Sequence, residues 1–171
     1  MFRYPLLIVF LLMTLGICNN ISAQRGPQGH NFGFGIIVGE PLGGTIKYWF
    51  NSENALDADI GGSYFGSPRI DVDYLWHFDA FQSRVVKLYA GAGGALGFGR
   101  SNNGFLYKGE GNRFYVREGD NVGFGIRGLF GLNVIPNRSP LEIFLHFGVL
   151  VGLAPETGSA VDLALGLRFY P

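Results

Sequence analysis

The stretch RIDVDYLWHF, residues 69–78, decides how the rest of the chain is read. Ile70, Val72, Tyr74, Trp76 and Phe78 fall on one face of it, and Asp71, Asp73, Leu75 and His77 on the other. A period of two is that of a β-strand, whose side chains point alternately to the two sides of the pleat. One face is bulky and apolar to its end. The other carries two carboxylates and an imidazole.

The same rule recurs on both sides of that stretch. Upstream, 31–39 sets Phe32, Phe34, Ile36 and Val38 against Gly33, Gly35, Ile37 and Gly39. The segment 44–50 sets Ile46, Tyr48 and Phe50 against Thr45, Lys47 and Trp49, and 55–65 sets Leu56, Ala58, Ile60 and Tyr64 against Asp57, Asp59, Gly61 and Ser63. Downstream, 85–98 is rich in Gly and Ala, with Lys87 and Tyr89 opposite Val86, Leu88 and Leu96. The segment 122–134 opposes Phe124, Ile126, Phe130 and Leu132 to Arg127 and Asn133. In 140–153, Ile143, Leu145, Phe147, Val149 and Val151 oppose Glu142, Phe144, His146 and Leu150. A last strand opposes Val161, Leu163, Leu165, Leu167 and Phe169 to Asp162, Gly166 and Arg168. Pro- and Gly-bearing turns separate these segments. Eight strands at short spacing without a helical period predict an antiparallel all-β fold, barrel or sandwich.

Volume decides which face is inside. The apolar faces carry more large side chains than an eight-stranded interior can hold, and the other faces are rich in Gly and Ala. The apolar faces therefore point outward, which a bilayer requires and which would make a water-soluble protein prone to aggregate. The alternative is a secreted soluble sandwich with the same aromatics as its core, binding an apolar ligand. Strands of about 9–11 residues cross the hydrocarbon when tilted. Tyr48-Trp49-Phe50, Tyr64-Phe65, Trp76 with Phe78, and Phe169-Tyr170 lie at strand ends, where aromatic girdles belong.

Composition agrees. A chain of 171 residues with 13 basic and 13 acidic side chains fits one domain, and its charge balance argues against a nucleic-acid partner held through phosphates. With 28 Gly and 16 Phe, it favours strands over long helices. Arg3, the apolar run through Leu12 and the small residues Ser22-Ala23 before Gln24 read as a cleaved signal peptide, 1–23, leaving 24–171 as the barrel domain. The run is too short for a comfortable membrane anchor. Cys18 is the one cysteine. It is a candidate for lipidation, although Ile17 is a poor residue before such a site. After cleavage at Ala23, no disulfide or thiolate metal site remains.

The polar faces collect Lys47, Asp57, Asp59, Asp71, Asp73, His77, Lys87, Arg127, Glu142, His146, Asp162 and Arg168. Charges enclosed in a narrow barrel must be paired, so they predict a salt-bridged plug of the lumen, the other reading being a narrow ion or solute path. His77 and His146 each lie four residues from an acid, roughly 13 Å along a strand, too far for a local ligand set. No metal, cofactor or catalytic group is expected. The serines have no histidine nearby in sequence, and the GFG and GAGG runs lack the helix and Lys-Ser/Thr pair of a phosphate loop. Such glycines relieve crowding on an inner face or permit curvature.

Connections alternate between the two ends of an even-stranded barrel. Those at the outer end are expected at 40–43, 66–68, 99–121 and 155–158. The long one, 99–121, carries Phe105, Tyr107, Lys108, Arg113, Phe114, Tyr115 and Arg117 and is the expected contact surface for an extracellular ligand. In strand number, alternation and topology, 31–171 resembles the small eight-stranded outer-membrane proteins of the OmpA-transmembrane-domain and OmpX type. The resemblance implies the outer membrane of a Gram-negative-type cell, a non-enzymatic role and outer-membrane lipids as surroundings. The last strand, with Gly166 and Phe169, resembles the signal read by the barrel-assembly machinery, except that Pro171 stands where an aromatic usually ends it.

Overall fold

Each expected alternating segment forms a strand, and each strand pairs with its sequence neighbours. The computed structural model describes residues 26–81, 83, 85–99, 122–155 and 157–171. Its strands are β1 (Phe32–Gly39), β2 (Leu42–Trp49), β3 (Asn54–Ser63), β4 (Gly66–Phe78), β5 (Val86–Gly97), β6 (Gly123–Val134), β7 (Leu141–Ala154) and β8 (Gly158–Phe169). All pairings are antiparallel. β1 also pairs with β8, with Phe34 opposite Phe169 and Gly39 opposite Ala164, so the sheet closes into an up-and-down barrel. Closure leaves no unpaired strand edge. The signal segment 1–23, Cys18 and residues 100–121 of the long connection lie outside the described residues.

The apolar faces point out. Ile36 is 61% exposed, Leu163 58% and Phe130 50%, although all three sit mid-strand. The wall is uneven in height, because β1 and β2 have 8 residues each while β4 has 13 and β7 has 14.

Two expectations are corrected here. The connection between β3 and β4 is Tyr64-Phe65 rather than 66–68, and Gly66, Ser67 and Pro68 belong to β4. The register shifts between Gly61 and Ser63, which face Arg69 and Gly66. Such an irregularity changes the parity of the strand, so Tyr64, expected outward with Ile60, turns inward and is buried, as is Phe65. The aromatic girdle also loses members. Trp49, Tyr64, Phe65 and Tyr170 are interior, while Tyr48, Phe50, Trp76, Phe78 and Phe169 face out. Strand-end position was the wrong guide, and alternation the right one. Tyr48, Phe50, Tyr74 and Trp76 form a run of ring contacts with centroids 5.0–6.0 Å apart, at the end of the barrel where β1 begins and β8 finishes, its terminal end.

The inward glycines make room for neighbouring strands and rings. A Cβ on Gly35 would lie 1.8 Å from the Leu167 carbonyl oxygen across the β1–β8 seam. One on Gly33 would meet the Tyr170 ring at 2.5 Å, and one on Gly166 the Phe144 ring at 2.2 Å. Gly128 lies on the outer face, where a Cβ meets nothing nearer than the Gly91 carbonyl oxygen at 4.0 Å. Gly35→Ala should therefore destabilise the barrel by about 1–3 kcal/mol through backbone overpacking. Gly128→Ala should leave the urea unfolding midpoint unchanged. Equal midpoints for the two variants would contradict this packing.

Candidate functional site

The enclosed charges begin with a ladder of acids on two adjacent strands. Asp57 pairs directly with Asp73, and Asp59 with Asp71, between β3 and β4. Like charges opposite one another destabilise a sheet, and burial adds a desolvation cost. All four are at most 2% exposed. The compensation comes from arginines. From β8, Arg168 Nη2 donates to Asp57 at 2.6 Å and to Thr45 Oγ1 at 2.7 Å, and lies 4.0 Å from Asp59. From β6, Arg127 bonds Asp71 and lies 3.4 Å from Asp73. From β4 itself, Arg69 donates to Asp71 at 2.8 Å and to Asp162 of β8 at 2.6 Å.

Glu142 of β7 closes the chain of pairs toward the termini. It accepts from Lys47 at 2.8 Å and Asn133 at 3.1 Å, and Arg168 stands 3.5 Å away. The Tyr170 hydroxyl also donates to it. The Lys47 ammonium has donors only, so its 3.0 Å contact makes His77 Nε2 an acceptor. The proton then sits on Nδ1 and donates to the Glu53 carbonyl at 3.2 Å. Lys47 Nζ also lies 4.2 Å from the centroid of the Trp49 ring. Trp49 Nε1 donates to the Tyr170 hydroxyl at 3.0 Å.

Of the twelve residues singled out from sequence, eleven are buried in the lumen, and Lys87 is not. Its side chain is 21% exposed at the rim beside the termini, donating to the Ser52 carbonyl at 3.1 Å and lying 3.7 Å from Asp79. β5 starts at Val86, so Lys87 is too near the strand end to be enclosed. The two histidines do not meet. His77 belongs to the Lys47 cluster, whereas the ring of His146, a residue 1% exposed, makes no hydrogen bond among the described residues. No group of three metal-ligating side chains converges among the described residues.

The main residue missed was Arg69, fully buried and bound to two acids. The signal was present in the opening stretch. Arg69 stands two residues before Asp71 and shares its face, but a strand start next to Gly66-Ser67-Pro68 read as a turn. Tyr64 was missed for the same bulge that turns it inward, where its hydroxyl donates to Asp162 and its ring faces Arg69 at 5.7 Å. Of the outer-loop residues, Phe105, Tyr107, Lys108, Arg113, Phe114, Tyr115 and Arg117 all lie outside the described residues.

Removing Arg69 takes the cationic partner from Asp162 and leaves Asp71 with Arg127 alone. Arg69→Met should cost about 3–5 kcal/mol in barrel stability, as loss of one partner of a buried pair does. Lys87→Met, at a solvated rim, should change it by less than about 0.5 kcal/mol. Urea titrations of the refolded barrels measure both, and equal losses would mean that the Arg69 pairs add nothing.

No family model and no curated protein matches the sequence. Among solved structures, the chain is similar to the N-terminal β-barrel domain of Pseudomonas aeruginosa OprF. The TM-score is 0.59 at 15% identity, and the match covers 82% of this chain and 96% of that one. At that identity the likeness speaks for architecture, and it establishes a closed, eight-stranded, antiparallel up-and-down barrel of the kind that forms the OprF N-terminal domain.

Proposed function

We propose that the protein is an outer-membrane β-barrel that acts without catalysis, as a structural element or a surface for contact through its long outer connection. One observation carries this reading. A closed barrel presents large apolar side chains on its outside and encloses its charges in ion pairs. Water gives no reason for that inversion, and a hydrocarbon surround gives a direct one. The OprF barrel domain has the same architecture, which supports an outer-membrane address and, with it, a cleaved signal at 1–23 and assembly by the barrel-insertion machinery.

Ion pairs spanning the lumen from β8 and β6 to β3 and β4, and from β7 to β2, support a plugged interior over a standing pore. The long connection, 99–121, is the segment left for recognition. Its mixture of basic and aromatic residues suits an extracellular ligand with apolar and anionic parts. Deleting 102–117 should leave heat-modifiable gel mobility unchanged and abolish surface binding. Loss of the heat-dependent shift on that deletion, and so of folding, would make the segment structural.

The two tryptophans test the orientation directly, because they face opposite ways. Trp76 is 49% exposed on the outer wall and Trp49 is 1% exposed inside. In vesicles with brominated acyl chains, Trp49→Phe, which retains Trp76, should lose most of its fluorescence. Trp76→Phe, which retains Trp49, should be quenched several-fold less. Equal quenching, or a protein that stays in solution without detergent, would overturn the membrane reading.

A further inference from the structure

Three apolar clusters interrupt the polar interior, two toward its ends and one, Ile37, Phe144 and Ala164, beside His146, whose ring lies 5.7 Å from that of Phe144. Beside the termini, Trp49, Ala55, Leu75, Tyr89, Leu129 and Tyr170 pack together across the lumen. Toward the other end, Tyr64, Phe65, Ala95 and Leu150 do the same. The registers, read together with the tilt that strands take in a closed barrel, bring Thr45, Asp57, Asp59, Asp73 and His146 to a similar height between the two end clusters. Arg168 approaches that level from the terminal side and Arg127 from the other. His146 is on β7, four strands from β3, and so faces Asp59 across the lumen.

Hydrogen bonding is incomplete at this level in particular. Both ring nitrogens of His146, one carboxylate oxygen each of Asp59 and Asp73, and Nε and Nη2 of Arg127 are buried without a hydrogen-bond partner among the described residues. Buried polar groups of this kind are normally satisfied, by ordered water if not by protein. Donors and acceptors are both present, so one small hydrated guest can serve all of them. Charge selects its sign. The buried charged side chains are six acids, Asp57, Asp59, Asp71, Asp73, Glu142 and Asp162, against four bases, Lys47, Arg69, Arg127 and Arg168.

We propose that the mid-lumen around His146 is a hydrated compartment that takes a small monovalent cation and is occluded by an apolar closure at each end. The acid surplus attracts the cation, and His146 and the free oxygens of Asp59 and Asp73 hold its water. Because the closures stand in series, opening either one leaves the path shut. This rests on the membrane-barrel reading and adds to it a defined interior site.

The test uses the full mature chain, refolded and checked by heat-modifiable mobility, in planar bilayers under a potassium chloride gradient. Wild type, Trp49→Ala alone, and Tyr64→Ala with Phe65→Ala should all be silent. The triple variant should conduct, with a reversal potential displaced toward that of potassium. Adding Asp59→Asn and Asp73→Asn to it should remove the displacement. Conductance from one opened end, or an open triple variant without cation preference, overturns the proposal. So does a folded triple variant that stays silent. Should the opened variants fail to fold, the wild type still decides. Its His146 ring protons should show magnetisation transfer from long-lived internal water, and a dry His146 overturns the compartment. Failure to insert into bilayers at all would instead count against the membrane reading.

Discussion

Four aspartates side by side on two strands are the constraint around which this barrel is arranged. Asp57 against Asp73 and Asp59 against Asp71 would drive β3 and β4 apart if nothing intervened. The arginines that answer them come from β4, β6 and β8, and the lysine that continues the network comes from β2. Arg69 and Arg127 reach Asp71 and Asp73 within β4 and from β6, whereas Asp57 is reached from β8 by Arg168, and Asp162 of β8 gives Arg69 its second acid. Closure of the barrel and this part of its charge pairing are therefore coupled, since a sheet still open at the seam would leave Asp57 without Arg168 and Arg69 without its second partner.

The glycines have the complementary part. Arginine and aromatic side chains can cross an eight-stranded interior only where the facing residues are small. Tyr170 lies over Gly33, Phe144 over Gly166 and Tyr89 over Gly131. The same rings are tied into the charge network, Tyr170 through Glu142 and Phe144 through the Arg168 guanidinium stacked at 3.7 Å. Gly content that looks like low complexity in the sequence is, in three dimensions, the negative of the side chains beside it.

Most of this was legible from alternation. A strict period of two assigned each strand its inner and outer face, and volume identified the inner one. What alternation could not show was a change of phase. The irregularity between Gly61 and Ser63 lies in a run, Gly61-Gly62-Ser63, with no apolar residue to register the slip, so Tyr64 was carried forward on the wrong face. Trp49 shows the opposite case. Its parity placed it inside with Lys47, and only the habit of assigning strand-end aromatics to an interface argued otherwise. Which charges pair was beyond reach, because Arg168 and Asp57 are brought together by closure rather than by anything local to either segment.

The unequal strand lengths bear on the surroundings of the barrel. A wall of eight-residue strands at β1 and β2 and fourteen residues at β7 cannot match a lipid slab of uniform thickness around its whole circumference. In the membrane we propose for it, either the molecule leans, or the leaflet dimples against its low side, at a cost of fractions of a kcal/mol per ångström of mismatch. In both cases neighbouring lipids experience a molecule with a front and a back. A crowded two-dimensional film would orient such molecules relative to one another through the elasticity of the membrane, without direct contact between them.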